Sequence, residues 1–173
     1  AETRPLLAAP TLSAAVRAIR RAGRLEIYGI GSSAPVAQDL AYRLMQLGLD
    51  AKALVDSHVQ AVAAAMAGPG VATLTISHTG STIETVTATR YAKEAGASTI
   101  GITRLGKSPL ARYCDILLHT VAKETTFRPE AMSSRVAQLA VIDTLVSCCA
   151  LAAPGRSIEM LQRSNRVLSG KRY

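Results

Sequence analysis

The sequence is poor in aromatic residues, cysteines and metal-ligand patterns. Phe, Trp and Tyr together make up 3% of its 173 residues, and Trp is absent. A stacking surface for single-stranded nucleic acid needs aromatic rings among its cations, so such a surface is not indicated. The three cysteines, Cys114, Cys148 and Cys149, follow no metal-ligand or disulfide spacing. Together with the lack of a signal-peptide pattern, they predict reduced thiols and a cytoplasmic location. We also expect no metal and no cofactor.

The sequence also lacks an uninterrupted apolar run that would span a membrane. Its longest apolar stretch, residues 136–153, contains Gln138 and Asp143. A transmembrane helix needs about 20 predominantly apolar residues. We therefore predict that this stretch forms a buried helix, covered on both sides, in a protein that does not enter the membrane.

Acidic residues are fewer than basic ones, 12 against 20, for a formal net charge of +8. Such a balance is typical of nucleic-acid-binding proteins. The cations are concentrated near the two ends of the chain, and neither a helix-turn-helix pattern nor a zinc spacing accompanies them. We interpret them as solvated helix faces and a basic tail.

The residues that are present favour an α/β fold. Apolar residues make up 49% of the chain, and Ala, Val, Leu and Ile suit a core packed between layers. The predicted strands are 25–30, 51–55, 71–76, 98–103 and 115–119. The predicted helices are 11–21, 33–47, 58–66, 83–95, 109–113, 131–152 and 157–168. This alternation predicts a three-layer αβα sandwich around a five-stranded parallel sheet, with ligands bound beyond the carboxyl ends of the strands.

A loop rich in glycine and serine, GIGSSA at 29–34, follows the first predicted strand. Gly29 and Gly31 allow a tight turn and a close approach to a ligand. Ser32 and Ser33 add hydroxyls at a helix N-terminus, where free amides favour an anion. The loop also fits an ordinary tight turn with Ser33 as the N-cap, and this alternative stays open.

A second loop, SHTGST at 77–82, follows the third predicted strand and is rich in hydroxyls. A phosphate dianion offers several acceptor oxygens, so a group of hydroxyls and amides at a helix N-terminus is a matching site. Ser81 and Glu84 form a capping-box pattern, which would use Ser81 on the backbone alone. That alternative leaves three hydroxyls of the loop unexplained, those of Ser77, Thr79 and Thr82.

The first loop also matches a dinucleotide fingerprint, G-x-G-x-x-A, with Asp56 after the second strand as the ribose-binding acid. A nicotinamide site does not call for a hydroxyl-rich loop after the third strand. We therefore favour a phosphate-bearing ligand that both loops hold.

The two loops, with the segments that follow them, resemble the SIS (sugar isomerase) domain family. The similarity extends over about 12–168 and is greatest to the effector-binding half of RpiR-type bacterial transcriptional regulators. It is carried by GIGSSA, LVDSH at 54–58, SHTGST, ITR at 102–104, SPLARYCDILL from Ser108 and ETTFRPEAMSSRVAQLAVIDTL from Glu124. The resemblance implies a flavodoxin-like SIS fold.

The resemblance also implies which residues hold the ligand, a phosphorylated sugar or sugar acid. Ser33 would bind the sugar body, Glu124 its hydroxyl or carbonyl end, and the hydroxyls and amides of the second loop its phosphate. The implied ligand-binding residues are Gly31, Ser32, Ser33, Ser77, His78, Thr79, Gly80, Thr82 and Glu124. The residues implied to act from behind the site or from a partner subunit are His58, Ser133 and Ser134.

Regulators of this family carry an N-terminal helix-turn-helix domain. We expect residues 1–173 to form a single SIS domain, with its core at about 11–168, from the C-terminal part of a longer regulator of carbohydrate metabolism. DNA binding would then belong to the N-terminal domain, which this sequence does not include.

Two functions fit these residues, an effector sensor and a phosphosugar isomerase. Aldose–ketose isomerisation needs a base that moves a proton between adjacent carbons, and Glu124 is the candidate for it. A sensor needs affinity and a coupled change of shape, without a proton relay. The sequence meets the binding requirement more clearly, so we favour the sensor and keep the isomerase as the alternative.

The helix predicted at 131–152 suggests a homodimer or tetramer. One stripe of apolar residues comprises Met132, Val136, Leu139, Ile142 and Leu145. A second stripe comprises Ala137, Val141, Thr144 and Cys148. We predict that one stripe faces the sheet and the other faces a second copy of the chain.

Overall fold

The computed structural model describes residues 8–122 and 132–170. Within these ranges the strands are β1 (Arg24–Tyr28), β2 (Ala51–Leu54), β3 (Val71–Ile76), β4 (Ser98–Arg104) and β5 (Ile116–Thr120). The helices are α1 (Ala9–Arg21), α2 (Ala34–Gln46), α3 (Ser57–Ala65), α4 (Ile83–Glu94), α5 (Met132–Leu151) and α6 (Pro154–Ser169). Two short 3₁₀ turns, Gly31–Ser33 and Leu110–Tyr113, complete the set. Every predicted strand is present, and so is every predicted helix, the short one at 109–113 as the 3₁₀ turn Leu110–Tyr113.

The five strands form one parallel sheet in the order β2-β1-β3-β4-β5. Helices α1, α2 and α5 pack on one face of this sheet, α3 and α4 pack on the other, and α6 lies outside α2 and α5. The predicted three-layer αβα sandwich is confirmed. The chain leaves β1 in one direction to form β2 and in the other to form β3, so the ends of β1 and β3 flank the switch point where such sheets bind ligands.

The two faces of the sheet differ in chemistry because side chains alternate along each strand. The face toward α1, α2 and α5, here the apolar face, carries residues such as Ile27, Leu74 and Ile100, all fully buried. The opposite face, here the hydroxyl face, carries four fully buried threonines, Thr73, Thr75, Thr99 and Thr103. Small residues of α3 and α4 cover it, among them Ala64, Ala88 and Ala92.

Helix α5 crosses the apolar face and is covered on one side only by the rest of the described chain. Its buried residues are Ser134, Ala137, Gln138, Val141, Ile142, Leu145 and Cys149. Val136 is 68% exposed and Leu151 is 75% exposed, so the outer side of α5 is uncovered in the single chain. Cover of that side by a second copy stays a prediction. The predicted stripes were wrong, because the buried face takes residues from both of them, and Val136 lies two positions after Ser134 and therefore on the opposite side of the helix from that face.

Residues Ser133–Leu151 of α5 are long and apolar enough to cross a membrane by length and composition alone. No other helix in the described ranges meets that criterion. The inner side of α5 packs against α1, α2 and β5, as in the core helix of an α/β domain.

Candidate functional site

A hollow of about 210 Å³ opens at the carboxyl edge of the sheet, at the switch point between β1 and β3. The loops after these two strands, the N-terminal ends of α2 and α4 and the first turn of α5 enclose it. Its lining residues are Ile30, Ser32, Ser33, Ile76, Ser77, His78, Thr79, Thr82, Thr85 and Ser134. The two hydroxyl-rich loops singled out in the sequence therefore meet at one place.

The β1–α2 loop brings Ser33 to the hollow through a tight turn. A Cβ added at Gly29 would lie 2.8 Å from the carbonyl oxygen of Ser33, which is closer than real Cβ atoms approach. Glycine at this position is therefore required by the close packing of the turn on itself. Ser33 is 6% exposed and occupies the N-cap position of α2, yet its side chain makes no capping hydrogen bond. The alternative of Ser33 as a capping residue is thus wrong, and its hydroxyl is available to the hollow.

The β3–α4 loop is held by hydrogen bonds between its own residues. The Gly80 N–H donates to Ser77 Oγ over 3.1 Å, and the Ser81 N–H donates to Thr79 Oγ1 over 3.2 Å. Ser81 Oγ donates to the Thr79 carbonyl oxygen over 3.3 Å. The hydroxyl oxygens of Ser77 and Thr79 thus accept hydrogen bonds from amides of the same loop. The hydroxyl protons of these two side chains are left to donate to a ligand.

The capping box predicted for Ser81 and Glu84 does not form. The N-cap of α4 is Thr82, one residue later, and the Ser81 hydroxyl is bonded within the loop. The Thr82 side chain makes no capping hydrogen bond, although Thr82 lines the hollow. Helices α2 and α4 therefore both begin at the hollow without a side-chain cap, which leaves the positive end of each helix dipole for an anion. The first-turn amides of α4 are left for it as well, whereas in α2 the Ala34 N–H donates to the Gly31 carbonyl oxygen and Pro35 has no N–H.

Hydrogen bonds from β4 and from the segment that follows it hold the β3–α4 loop on the side away from the hollow. The Thr103 Oγ1 and the Arg104 N–H both donate to the His78 carbonyl oxygen, over 3.2 and 3.0 Å. The Leu110 N–H donates to the Gly80 carbonyl oxygen over 3.0 Å. A Cβ at Gly80, whose φ is +62°, would lie 2.6 Å from Ser108 Oγ and 2.8 Å from Thr103 Oγ1, so only glycine lets the loop rest this closely on β4 and the segment after it.

The electrostatics of the hollow come from the backbone and from hydroxyls. Within the described ranges no Lys, Arg, Asp or Glu lines it. An anion placed there would meet the N-terminal ends of two helices and no described carboxylate. The described residues include no group of three His, Cys, Asp or Glu side chains suited to hold a metal ion.

The structure brings most of the predicted ligand-binding residues together. Seven of the predicted residues line the hollow: Ser32, Ser33, Ser77, His78, Thr79, Thr82 and Ser134. Gly31 opens the 3₁₀ turn beside it, Gly80 lies within the β3–α4 loop, and Ser133 is half-buried at the start of α5. Glu124 lies outside the described residues. That these residues bind a ligand stays a prediction.

His58 does not reach the hollow of its own chain. It is exposed at the start of α3 and lines a separate groove of about 560 Å³ between α3 and the edge strand β2. Asp56 is the N-cap of α3 and accepts from the N–H groups of His58 and Val59, each over 3.0 Å. The carboxylate of Asp56 is thus used as a helix cap, which removes the acid that the dinucleotide alternative requires.

Sequence reasoning missed three lining residues, Ile30, Ile76 and Thr85. The two isoleucines end or follow buried strands and were assigned to the core. Thr85 lies three residues after the N-cap Thr82, and its Oγ1 donates to the Thr82 carbonyl oxygen over 3.1 Å. If Thr82 had been recognised as the N-cap, the i, i+3 spacing of a helix would have placed Thr85 on the same side of α4 as Thr82, toward the hollow.

Comparisons with known proteins identify the family. A model of the SIS domain matches residues 18–148. An uncharacterized HTH-type transcriptional regulator of Caldanaerobacter subterraneus subsp. tengcongensis is 37% identical over 164 residues, which cover 95% of this chain and 58% of the relative. The chain thus spans a little more than half the length of the curated relatives that it matches.

Two solved structures share the fold and part of the sequence. The Vibrio vulnificus NanR protein complexed with ManNAc-6P gives a TM-score of 0.93 at 26% identity, over 99% of this chain and 66% of NanR. The sugar isomerase domain of an RpiR transcription factor from Sphaerobacter thermophilus gives a TM-score of 0.86 at 28% identity, over 95% of this chain and 90% of that one. The resemblance predicted from the two loops is confirmed: the chain belongs to the SIS domain family and is homologous to the effector-binding domains of transcriptional regulators.

Proposed function

We propose that the chain is the effector-sensing domain of an RpiR-type transcriptional regulator of carbohydrate metabolism, and that it binds a phosphorylated sugar or sugar acid in the hollow. One observation carries the proposal. Ser33 and Thr82 are N-caps of two helices that meet at the hollow, and neither hydroxyl is used on its own helix. Uncapped helix N-termini surrounded by hydroxyls, without a described carboxylate, suit a phosphate dianion.

The arrangement of the two loops suggests how the ligand lies. The phosphate would contact the hydroxyls of Ser77, Thr79 and Thr82 and the first amides of α4. Ser33, on the neighbouring loop, would contact the sugar body, and Glu124 its far end. The complex of NanR with ManNAc-6P supports this class of ligand, because the two chains share the fold and 26% of their residues. The proposal extends to any sugar or sugar acid that presents a phosphate.

We also propose that the chain acts as a homodimer or tetramer. Helix α3 presents three exposed apolar side chains along one side, those of Val59, Val62 and Met66. His58 begins the same helix and faces the same groove, so a copy docked on α3 would bring His58 to the contact between subunits. This favours α3 over the outer side of α5, where Arg135, Asp143 and Ser147 interrupt the exposed apolar residues.

The subunit contact is tested by the mass of the protein in solution. Analytical ultracentrifugation should show a dimer or tetramer for the wild-type chain, and Val62→Glu should shift it to the monomer. The matched control is Ile158→Glu on α6, because Ile158 is exposed to a similar extent, 56% against 64%. A monomeric wild-type chain, or dissociation by the control alone, would contradict the proposed contact.

The remaining elements of the proposal concern the longer protein. DNA binding would belong to an N-terminal helix-turn-helix domain in a longer regulator, and the regulator would act in the cytoplasm. The curated relatives are named as HTH-type regulators, and each is longer than this chain, which supports both points.

The proposal is tested by a thermal-shift screen with phosphosugars, their unphosphorylated parents and inorganic phosphate. A ligand at 100 times its Kd stabilises the folded state by about 2.7 kcal/mol, which such a screen detects. We expect shifts with one or more phosphosugars and none with the parent sugars. The same phosphosugars are then incubated with the protein and analysed for aldose–ketose conversion. Turnover would support the isomerase instead, and a screen without any shift would refute both functions.

A further inference from the structure

In the described part of the chain, one side chain from another element hydrogen-bonds to the β1–α2 loop, that of Gln60 in α3. The Gln60 Nε2 donates to the Gly29 carbonyl oxygen over 3.4 Å and to the Leu54 carbonyl oxygen over 2.6 Å. Because both partners are acceptors, the amide nitrogen of Gln60 must face them. Gln60 is fully buried, and it joins the first residue of the loop to the end of β2.

The loop itself is a turn closed by local hydrogen bonds. The Ser33 N–H donates to the Ile30 carbonyl oxygen over 3.2 Å, and the Ala34 N–H donates to the Gly31 carbonyl oxygen. The two ends of the turn are in close contact, since a Cβ at Gly29 would lie 2.8 Å from the Ser33 carbonyl oxygen. A displacement of Gly29 would therefore be passed on to Ser33.

The β3–α4 loop, on the other side of the hollow, is held by different elements. Its His78 carbonyl oxygen accepts from Thr103 and Arg104, and its Gly80 carbonyl oxygen accepts from Leu110. None of these three donors belongs to α3. Loss of the hydrogen bond from Gln60 should therefore displace the β1–α2 loop and leave the β3–α4 loop in place.

We propose that Gln60 is a positioning residue that sets the affinity of the hollow for the sugar body of the ligand and not for its phosphate. This inference rests on the proposed function. Gln60 does not line the hollow, so it acts through the Gly29 carbonyl group and the turn that carries Ser33. Its removal would leave two carbonyl oxygens without this donor and free the turn to move.

The test combines Gln60→Met with Ser33→Ala in a double-mutant cycle on the full chain. Methionine keeps the length of the Gln60 side chain and removes its donors. The matched control is Gln138→Met, because Gln138 is also buried, at 2% exposed, and its Nε2 has no partner in the described ranges. Gln138 does not line the hollow either. The probes are inorganic phosphate and the phosphosugar that gives the largest thermal shift in a screen that includes ManNAc-6P.

Calorimetry measures the phosphosugar, and the backbone ¹H–¹⁵N resonances of the β3–α4 loop measure inorganic phosphate. In Gln60→Met the Kd of the phosphosugar should rise roughly 2- to 10-fold, the range of one neutral hydrogen bond, and the Kd of inorganic phosphate should not change. The double variant should bind the phosphosugar no more weakly than Ser33→Ala alone, because both changes remove one contact. Gln138→Met should match wild type with both probes.

A measurement on the wild-type chain keeps the inference testable if Gln60→Met does not fold. The ¹H–¹⁵N resonances of the Gln60 side-chain amide should shift when the phosphosugar binds and stay in place with inorganic phosphate. Their failure to shift with the phosphosugar overturns the inference.

The remaining outcomes separate this inference from the function on which it rests. A folded Gln60→Met variant with wild-type affinity for the phosphosugar, or with equal losses for both probes, overturns the inference and leaves the proposed function standing. Additive losses in the double variant also overturn it, because Gln60 would then not act through Ser33. A wild-type chain that binds no phosphosugar overturns the proposed function itself.

Discussion

Ser33 and Thr82 occupy equivalent positions in two different loops: each is the N-cap of the helix that follows a strand, and both line one hollow. Neither side chain bonds to the first turn of its own helix. An unused N-cap hydroxyl gives up a contribution of about 1 kcal/mol to stability. Two such residues at one hollow support the proposal that their hydroxyls bind a ligand.

Replacing Thr82 should therefore affect binding and not stability. Thr82→Ala should change the free energy of unfolding by less than about 0.5 kcal/mol, because no capping bond is lost. It should weaken phosphosugar binding measured by calorimetry. The comparison is Asp56→Ala, which removes a carboxylate that caps α3 and should cost about 1 kcal/mol. Equal destabilisation by the two variants would show that Thr82 caps its helix in solution.

Ser77 should matter more for binding than Ser33. Ser77→Ala removes a donor to the charged phosphate and the acceptor for the Gly80 N–H, and we expect the Kd to rise roughly 10- to 100-fold. Ser33→Ala removes a hydrogen bond to the neutral sugar body, and we expect the Kd to rise only roughly 2- to 10-fold. Calorimetric titration measures both, with Ser98→Ala at the opposite edge of the sheet as the control. Wild-type affinity in all three variants would show that the ligand binds elsewhere.

The turn at Gly29 should not tolerate a side chain. In Gly29→Ala the new Cβ would lie 2.8 Å from the Ser33 carbonyl oxygen, so the turn must open and carry Ser33 away from the hollow. We expect a loss of about 1–3 kcal/mol in stability and weaker ligand binding. In the control, Gly68→Ala, nothing lies within 4 Å of the new Cβ, and chemical denaturation should show a change below about 1 kcal/mol. A Gly29→Ala variant with wild-type stability would contradict the close packing of this turn.

Asp115 should make stability depend on acid pH. Burial alone would raise the pKa of its carboxyl group, but hydrogen bonds from Lys93 and from the N–H and hydroxyl of Thr99 outweigh it and lower that pKa. A carboxylate whose pKa is lower in the folded than in the unfolded state adds stability above its unfolded pKa of about 3.9. That stability is lost as the pH falls through the folded pKa.

The measurement is the difference in unfolding free energy between wild type and Asp115→Asn as a function of pH. It should be constant near neutral pH and shrink toward zero below about pH 4. Because Lys93 and Asp115 are partly exposed, added salt should reduce it as well. A difference that grows as the pH falls would contradict the assigned direction.

Two of the cysteines should be unreactive in the folded protein. Burial, with a further contribution from Asp115, raises the pKa of the Cys114 thiol to about 12, and burial raises that of Cys149 to about 11. Since the thiolate is the nucleophile, iodoacetamide at pH 8 should modify neither thiol at a rate comparable to that of a free cysteine. In urea all three cysteines should react, as mass spectrometry will show. Rapid modification of Cys114 in the folded state would contradict the raised pKa of its thiol.

The order and type of the elements were predictable because each is set by local patterns. The predicted boundaries of two elements were wrong. Helix α6 begins at Pro154 rather than at 157, because Pro is favoured in the first turn of a helix. Strand β1 ends before Gly29 rather than at Ile30. The orientation of α5 was not predictable. A helix that is apolar nearly all round does not indicate which side faces the core.

The site was predictable in its location but not in its hydrogen bonds. The carboxyl ends of parallel strands share an edge, which was enough to bring Ser33 and Ser77 together. Whether a hydroxyl caps its own helix depends on how the whole loop is held, and donors 25 to 30 residues later fix the β3–α4 loop, at Thr103 and Leu110. No local pattern contains that information. Glu124, which the resemblance implies, lies outside the described residues and stays a prediction.

The alanines on the sheet-facing sides of α3 and α4 influence the geometry of the hollow. Ala64, Ala88 and Ala92 are fully buried where these helices cross the hydroxyl face, so the helix axes lie as near the strands as a methyl group permits. An added methylene at Ala88 would lift α4 and move Thr82 away from Ser77, because a close-packed interior transmits such a change. The geometry of the proposed anion site is thus fixed by the smallest side chains in the interior, and Ala64, Ala88 and Ala92 do not themselves line the hollow.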